Sequence, residues 1–331
     1  MHSSRRTWRL RGIPCFVDPE RLSQTLRHHS DLRWPGGDRP EDSQNSGNDV
    51  IIHTLAPDIR ADSLVATVRF SNLPSQLQEL GARGHLTIKI NMVPDNPQVM
   101  DKCGSVSEVS IDEHFDGITT LFSPATDEEH QIDVLVVSGL GSHPFGSFVH
   151  KEDGNMWLTN NLPRDVPAAR VMIFGYESAL QHSRSHVQLV DLACPVRIAI
   201  SQILRSCKKR PLILIGHSLG GLLVKQALIQ MAEPALEHPN LLDMIKGILL
   251  FGTPNDGLDI DSLVPMVNDQ PNRSLLDSLS SKNSEVLRHQ RQGFSRVLGH
   301  TKLQLFCFYE TELSPTAAQV CRHNLSCKKC L

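Results

Sequence analysis

The stretch from Pro211 to Ala227, PLILIGHSLGGLLVKQA, constrains this chain more than any other. Its first residues, up to Gly216, are almost wholly apolar and β-prone. Gly216-His217-Ser218-Leu219-Gly220 then forms a G-x-S-x-G pentapeptide. After it, Leu222, Leu223, Gln226, Ala227 and Ile229 recur at helical spacing. Strand, sharp turn and helix in that order make the context of a nucleophile elbow, in which a strained serine projects above a parallel sheet. Side chains at the two flanking glycines would collide with the neighbouring strand and helix, and Gly221 lets the helix start pack closely. The competing readings are a tight strand-to-helix turn with a capping serine, and a phosphate loop. The second fits poorly, because no G-x-x-x-x-G-K-[ST] spacing is present and Lys225 lies too far along the helix.

A chain of 331 residues has room for one large or two medium domains. A net charge of −3 with neutral histidines points to neither nucleic acid nor an anionic membrane. No apolar run approaches the length of a bilayer crossing. The N-terminus, MHSSRRTWRLRGIPCFV, has basic residues but no apolar stretch of the secretory kind, so it reads as a basic lead-in to a first strand, with a mitochondrial presequence, suggested by Arg5, Arg6, Arg9 and Arg11 without early acids, as the alternative. Cys15, Cys103, Cys194, Cys207 and Cys307 are scattered, which suits reduced thiols in an intracellular, cytoplasmic protein. Cys321, His323, Cys327 and Cys330 could in principle hold zinc, but without a second well-spaced pair they read as a cysteine-rich tail with no metal.

Composition divides the chain near residue 125. Residues 1–125 read as a small α+β domain. Trp8 to Val17 makes a strand, and Asp18 caps a helix with Pro19 at its first position and Leu22 and Leu26 on one face. Residues 30–49 read as a loose loop. Val50 to Thr54, Leu64 to Phe70 and His85 to Ile90 make further strands, and Leu73 to Leu80 a short helix. That order resembles a ferredoxin-like sandwich. It lacks the aromatic platform and basic face of an RNA binder, so it reads as a structural or interaction module with no nucleic-acid partner.

In residues 126–331 the pattern changes. Ile132 to Val137, Val171 to Phe174, Leu212 to Ile215, Ile248 to Phe251 and Leu303 to Phe308 are continuous β-rich runs, as expected of strands buried on both faces. Helical stretches separate them: Ser185 to Cys207, interrupted by Pro195, and Leu219 to Ala232. The alternation predicts a doubly wound parallel α/β sheet. Ligands bind beyond the carboxyl ends of such strands, so Ser138, Gly175, Ser218, Gly252 and Glu310 should gather at one edge.

A serine hydroxyl needs a histidine base, a carboxylate to orient it and amides aimed at the oxyanion. Ser218 is the nucleophile candidate. Leu219, next in the chain, should supply one amide. The glycine-rich loop Ser138-Gly139-Leu140-Gly141-Ser142-His143 should supply the other, from Leu140.

SGLGSHPFGSF, Trp157, VMIFGY, GHSLGG, GILLFGTPNDG and FCFYET follow one another in order. Together, over about Ile132 to Thr316, they resemble the lipase-like serine esterases of the α/β-hydrolase superfamily. The serine-active-site-containing proteins, fungal forms among them, are the most similar group. The resemblance implies an acyl-hydrolase fold, a serine–acid–histidine triad, no cofactor, and a small-molecule or lipid ester substrate. It places the acid after the strand ending at Phe308-Tyr309, at Glu310, with Asp256 or Asp259 as alternatives and Glu312 and Glu177 on the surface. Residues 254–299 read as a cap over the site.

The chain also departs from that pattern. The superfamily's histidine follows the acid and a last strand, yet little sequence follows Glu310, and His323 is the histidine there. His143, His217 and His300 read as structural, and Ser138-Gly139 stands where the family has His-Gly. These departures predict a hydrolase domain truncated at its C-terminus. They keep open a second reading, an impaired hydrolase module that serves in binding or signalling.

Overall fold

The computed structural model describes residues 6–34, 49–59, 62–81, 84–92, 94, 106–178, 187–206, 209–233, 239–258, 260, 271–282, 284–309 and 311. The chain divides into two compact units, Met1–His130 with Phe148–Met172, and Gln131–Ser147 with Ile173–Leu331.

The first unit starts with β1 (Trp8–Pro14), α1 (Pro19–Arg27), β2 (Val50–Pro57), β3 (Ser63–Phe70), α2 (Ser75–Gln78), β4 (His85–Asn91), β5 (Val106–Asp112) and β6 (Gly117–Phe122). Asp18 caps α1 through the amide of Arg21, with Pro19 in the first turn, as the Asp-Pro pair predicts. The sheet runs β2-β3-β1-β5-β4, and its paired strands are antiparallel. The run β2-β3-β1-β5 is a ferredoxin-like order, with β4 added at the edge as a hairpin partner of β5. Alternation puts Trp8, Leu10, Val68, Ile88, Ile90 and Ile111 into one core, which Leu22 and Leu26 of α1 and Leu77 of α2 close. Gly12 lies at the register shift of β1 with φ 84, and a side chain there would run into the carbonyl of Glu108.

A buried ion pair ties β1, β5 and β6 together. Arg9 donates to Asp112 Oδ2 through Nε (2.9 Å) and Nη2 (2.8 Å). Its Nη1 reaches the Asp116 carbonyl and Thr119 Oγ1, both at 3.0 Å. The other Asp112 oxygen accepts the amide of Phe115, which has φ 56. Burial lowers the Arg9 pKa, and Asp112 opposes that shift.

Two short helices, α3 (Trp157–Asn160) and α4 (Leu162–Asp165), precede β8 (Ala169–Gly175). The larger sheet runs β11-β10-β9-β7-β8-β6. It contains β7 (Ile132–Val137), β9 (Leu212–His217), β10 (Ile245–Phe251) and β11 (Gln304–Phe308). The pairs β7–β9, β9–β10 and β10–β11 are parallel, so these strands share one carboxyl edge. Between them lie α5 (Leu189–Leu204), α6 (Leu219–Met231) and α7 (Pro239–Leu242), followed by α8 (Arg273–Ser278) and α9 (Glu285–His300). Strand residues Leu135, Val137, Leu214 and Ile248 and helix residues Leu222, Leu223, Val224, Ala227 and Ile200 are fully buried, the expected result for apolar runs covered on both sides.

Four expectations change. β11, read as a strand buried on both faces, is largely exposed, with Phe306 50% and Phe308 47% exposed, because it is the edge strand of its sheet. Helix α5 runs unbroken through Pro195, which lies on its exposed side, where a carbonyl without its helical partner can be hydrated. Residues 285–300, read as part of a cap, form α9. It packs along α6, burying Leu287, Gln290, Phe294 and Val297, because its apolar positions recur at helical spacing. Cys15, read as a reduced thiol, is disulfide-bonded and exposed, whereas Cys194 and Cys307 are free. Among the described residues no helix is long and apolar enough to cross a membrane.

Candidate active site

Ser218 is the one residue between the end of β9 and the start of α6, with φ 53 and ψ −125. A side chain other than glycine in such a conformation costs about 1–3 kcal/mol and persists only where its surroundings enforce it. Here they do. Its amide donates to the carbonyl of Phe251 on β10 (2.9 Å), and its carbonyl accepts the amide of Gly221 (3.0 Å). Ser218 is half-buried rather than covered.

Each glycine around it lies where a side chain would not fit. A methyl at Gly216 would come within 2.5 Å of Gly221 Cα, which fixes how tightly the helix folds back on the strand. One at Gly220 would strike the carbonyls of Val137 and Ser138, at the end of β7. One at Gly221 would strike the Thr253 side chain, and one at Gly139 would lie 2.9 Å from Ser218 Cβ. The motif spacing is therefore the packing of one turn against the ends of β7 and β10.

The loop after β7 thus stands directly beside Ser218. Leu140 is half-buried within it, and Leu219 is buried as the first residue of α6, a position whose amide has no acceptor inside the helix. The loop is held from the segment after β8. Tyr176 Oη donates to the Ser138 carbonyl (3.0 Å), Gly141 N–H to the Ser178 carbonyl (2.7 Å), and Ser178 Oγ to the Ser142 carbonyl (3.0 Å). Burial pushes the Tyr176 phenol pKa up, so it stays a donor.

Asp256 is exposed and ion-paired with Arg291 of α9. His143 accepts the amides of Phe145 (3.2 Å) and Gly146 (2.9 Å) at Nδ1, which makes it a brace of its own loop. His217 ends β9, and His300 is exposed at the end of α9. Glu177 is half-buried beside Tyr176 in the chain. Glu310, Asp259, Glu312, His323 and the cysteines 321, 327 and 330 lie outside the described residues. Among the described residues no group of three or more His, Cys, Asp or Glu could hold a metal.

Lys225, set aside above as a phosphate-loop lysine, has a structural role that the sequence left unassigned. It is 5% exposed, donates to Asn255 Oδ1 at 2.7 Å, and lies 5.2 Å from the centre of the Phe294 ring. Burial lowers its pKa from 10.5 to about 8. Arg291 adds to the shift, and Cys307 and Asp256 oppose it. The Lys225–Asn255 bond joins α6 to the loop after β10, where Thr253 meets Gly221. One signal was present in the sequence: a single charge inside the apolar run LLVKQA.

Parallel strands in the order β11-β10-β9-β7, continued by β8, a strained serine between β9 and α6, and a helix-crossed sheet define an α/β-hydrolase fold. No family model matches the chain. It is similar to Protein SERAC1 of Bos taurus, 24% identical over 226 residues, covering 60% of this chain and 33% of that protein. To Protein SERAC1 of Homo sapiens it is 26% identical over 160 residues, covering 47% and 24%. The chain thus spans a third or less of these relatives' length. Among solved structures it is similar to the Bacillus licheniformis lipase BlEst2 in mature form, with TM-score 0.43, 15% identity and coverage of 60% of this chain and 73% of that one. It is also similar to the Legionella pneumophila phospholipase PlaB, with TM-score 0.40, 17% identity and coverage of 56% and 40%.

Proposed function

We propose that this chain is a serine hydrolase that cleaves carboxylic esters, lipid esters among them. The observation that carries the reading is Ser218: half-buried, held at φ 53 at the carboxyl edge of a parallel sheet, with the Gly139 loop against it. In this reading Ser218 Oγ attacks the ester carbonyl and passes its proton to a histidine base. The amides of Leu140 and Leu219 hold the oxyanion. The alcohol leaves with that proton, and water then releases the acid from the acyl-enzyme. Glu310, just beyond β11, is the acid that orients the base; the pairing of Asp256 with Arg291 favours this choice. His323 is the base candidate downstream of it, since Nδ1 of His143 is occupied by two amides. Phe308 and Tyr309, 47% and 61% exposed near the same strand edge, supply apolar surface for an acyl chain. The intracellular location read from the scattered cysteines loses support from the disulfide at Cys15, and the chemistry requires no cofactor.

Labelling with a fluorophosphonate probe tests it. The chain should be modified at Ser218, and Ser218→Ala should abolish the modification. A folded chain that stays unlabelled sinks the hydrolase reading and leaves a binding or signalling module in its place.

A further inference from the structure

We infer that Tyr176 and Ser178 are positioning residues: the segment after β8 clamps the loop after β7, so that the Leu140 amide is already in place when an ester carbonyl becomes an oxyanion. The inference deepens the proposed function and rests on it.

The loop needs an external hold. Gly139 and Gly141 flank Leu140, and Gly141 has φ 67, a region open to glycine at little cost. Two glycines around the donor give the free loop many conformations, and an oxyanion donor works only if it is fixed before charge develops. The hold comes from both sides of Leu140. Upstream, Tyr176 Oη donates to the Ser138 carbonyl; downstream, Ser178 takes the Gly141 amide and gives its own hydroxyl to the Ser142 carbonyl. Tyr176 is 8% exposed and Ser178 9%, so little water competes for these bonds. On its other side the loop meets the elbow, with Gly139 against Ser218 and the Ser138 carbonyl against Gly220. The clamp therefore sets the spacing between the Leu140 amide and Ser218 without touching substrate.

Tyr176→Phe removes one hydrogen bond and keeps the ring. Ser178→Ala removes another and leaves the Gly141–Ser178 backbone bond. The test is hydrolysis of p-nitrophenyl butyrate and the rate of fluorophosphonate labelling, with melting followed alongside. Each variant should lose about tenfold in kcat with KM within about twofold, and should label more slowly in proportion. The double variant should lose less than the product of the two, since both act on one loop. A KM rise with kcat preserved, unchanged rates in both variants, or losses that only follow unfolding would each overturn the clamp. A labelled wild type matched by both variants overturns the clamp alone. A wild type that is never labelled overturns the hydrolase reading and the clamp together.

Discussion

Gly139 and Ser218, far apart in sequence, stand so close that a methyl on the glycine would lie 2.9 Å from the serine Cβ. That closeness leaves no room for any other residue at 139. Gly139→Ala should displace the loop or the serine and cost about 1–3 kcal/mol by overpacking. Fluorophosphonate labelling should fall well beyond what that loss of stability explains. Labelling at the wild-type rate would show that loop and serine are not coupled.

Gly221 and Gly220 differ in what they face. A methyl on Gly221 meets the Thr253 side chain, and one on Gly220 meets backbone carbonyls of Val137 and Ser138. Gly221→Ala should therefore be partly rescued by Thr253→Ala, which removes Oγ1 and Cγ2. Gly220→Ala should not be, because no side-chain truncation clears a carbonyl. Urea unfolding of the single and double variants measures the coupling, on the order of 1 kcal/mol for a direct contact. Additive losses for the Gly221/Thr253 pair would contradict the packing.

Lys225 gives stability a pH dependence of known sign. Its pKa is about 8 in the folded chain against 10.5 ordinarily. Below about pH 8 both states hold the proton, and the burial cost is constant. Between about pH 8 and 10.5 the unfolded chain binds a proton that the folded one has shed, so this residue's contribution to stability rises with pH. Lys225→Met should remove that rise. Denaturation midpoints at about pH 7 and about pH 9.5 decide it: wild type and variant with the same pH slope would refute the assignment.

The Arg9–Asp112 pair is nearly dry, with side-chain exposures of 3% and 5%. Arg9→Met leaves a buried carboxylate without its counter-charge and should destabilise the protein by about 3–5 kcal/mol. Replacing both residues with apolar ones should recover much of that loss. Chemical denaturation of the single and double variants tests this, and a single variant as stable as wild type would mean that water already reaches Asp112.

The elbow was legible because it is local. Strand, turn and helix occupy consecutive residues, and the glycine spacing records how closely the helix folds back on its strand. The start of α1 was legible for the same reason: Asp18 and Pro19 act on their own amides. The parallel strands announced themselves as unbroken apolar runs, and their sequence order sufficed to place their carboxyl ends at one edge. Hidden in the sequence were the partners. Periodicity marks which face of a helix is apolar but not what covers it, so residues 285–300 could be read as a cap when α9 in fact lies along α6. Arg9 and Asp112 are 103 positions apart, and Lys225 and Asn255 are 30 apart, with no local mark of either pairing.

The sequence alone determined the α/β alternation, the strained turn and the serine at its tip, because these depend on residues within a turn or two of one another. Only the tertiary structure decided which strands neighbour each other, which loop stands against Ser218, and that Tyr176 and Ser178 hold that loop. Those relations join segments that meet only after chain folding. Hydrophobic burial drives that folding without naming pairs, and the pairs are set by the shapes and hydrogen-bonding groups that the packed sheet brings into reach.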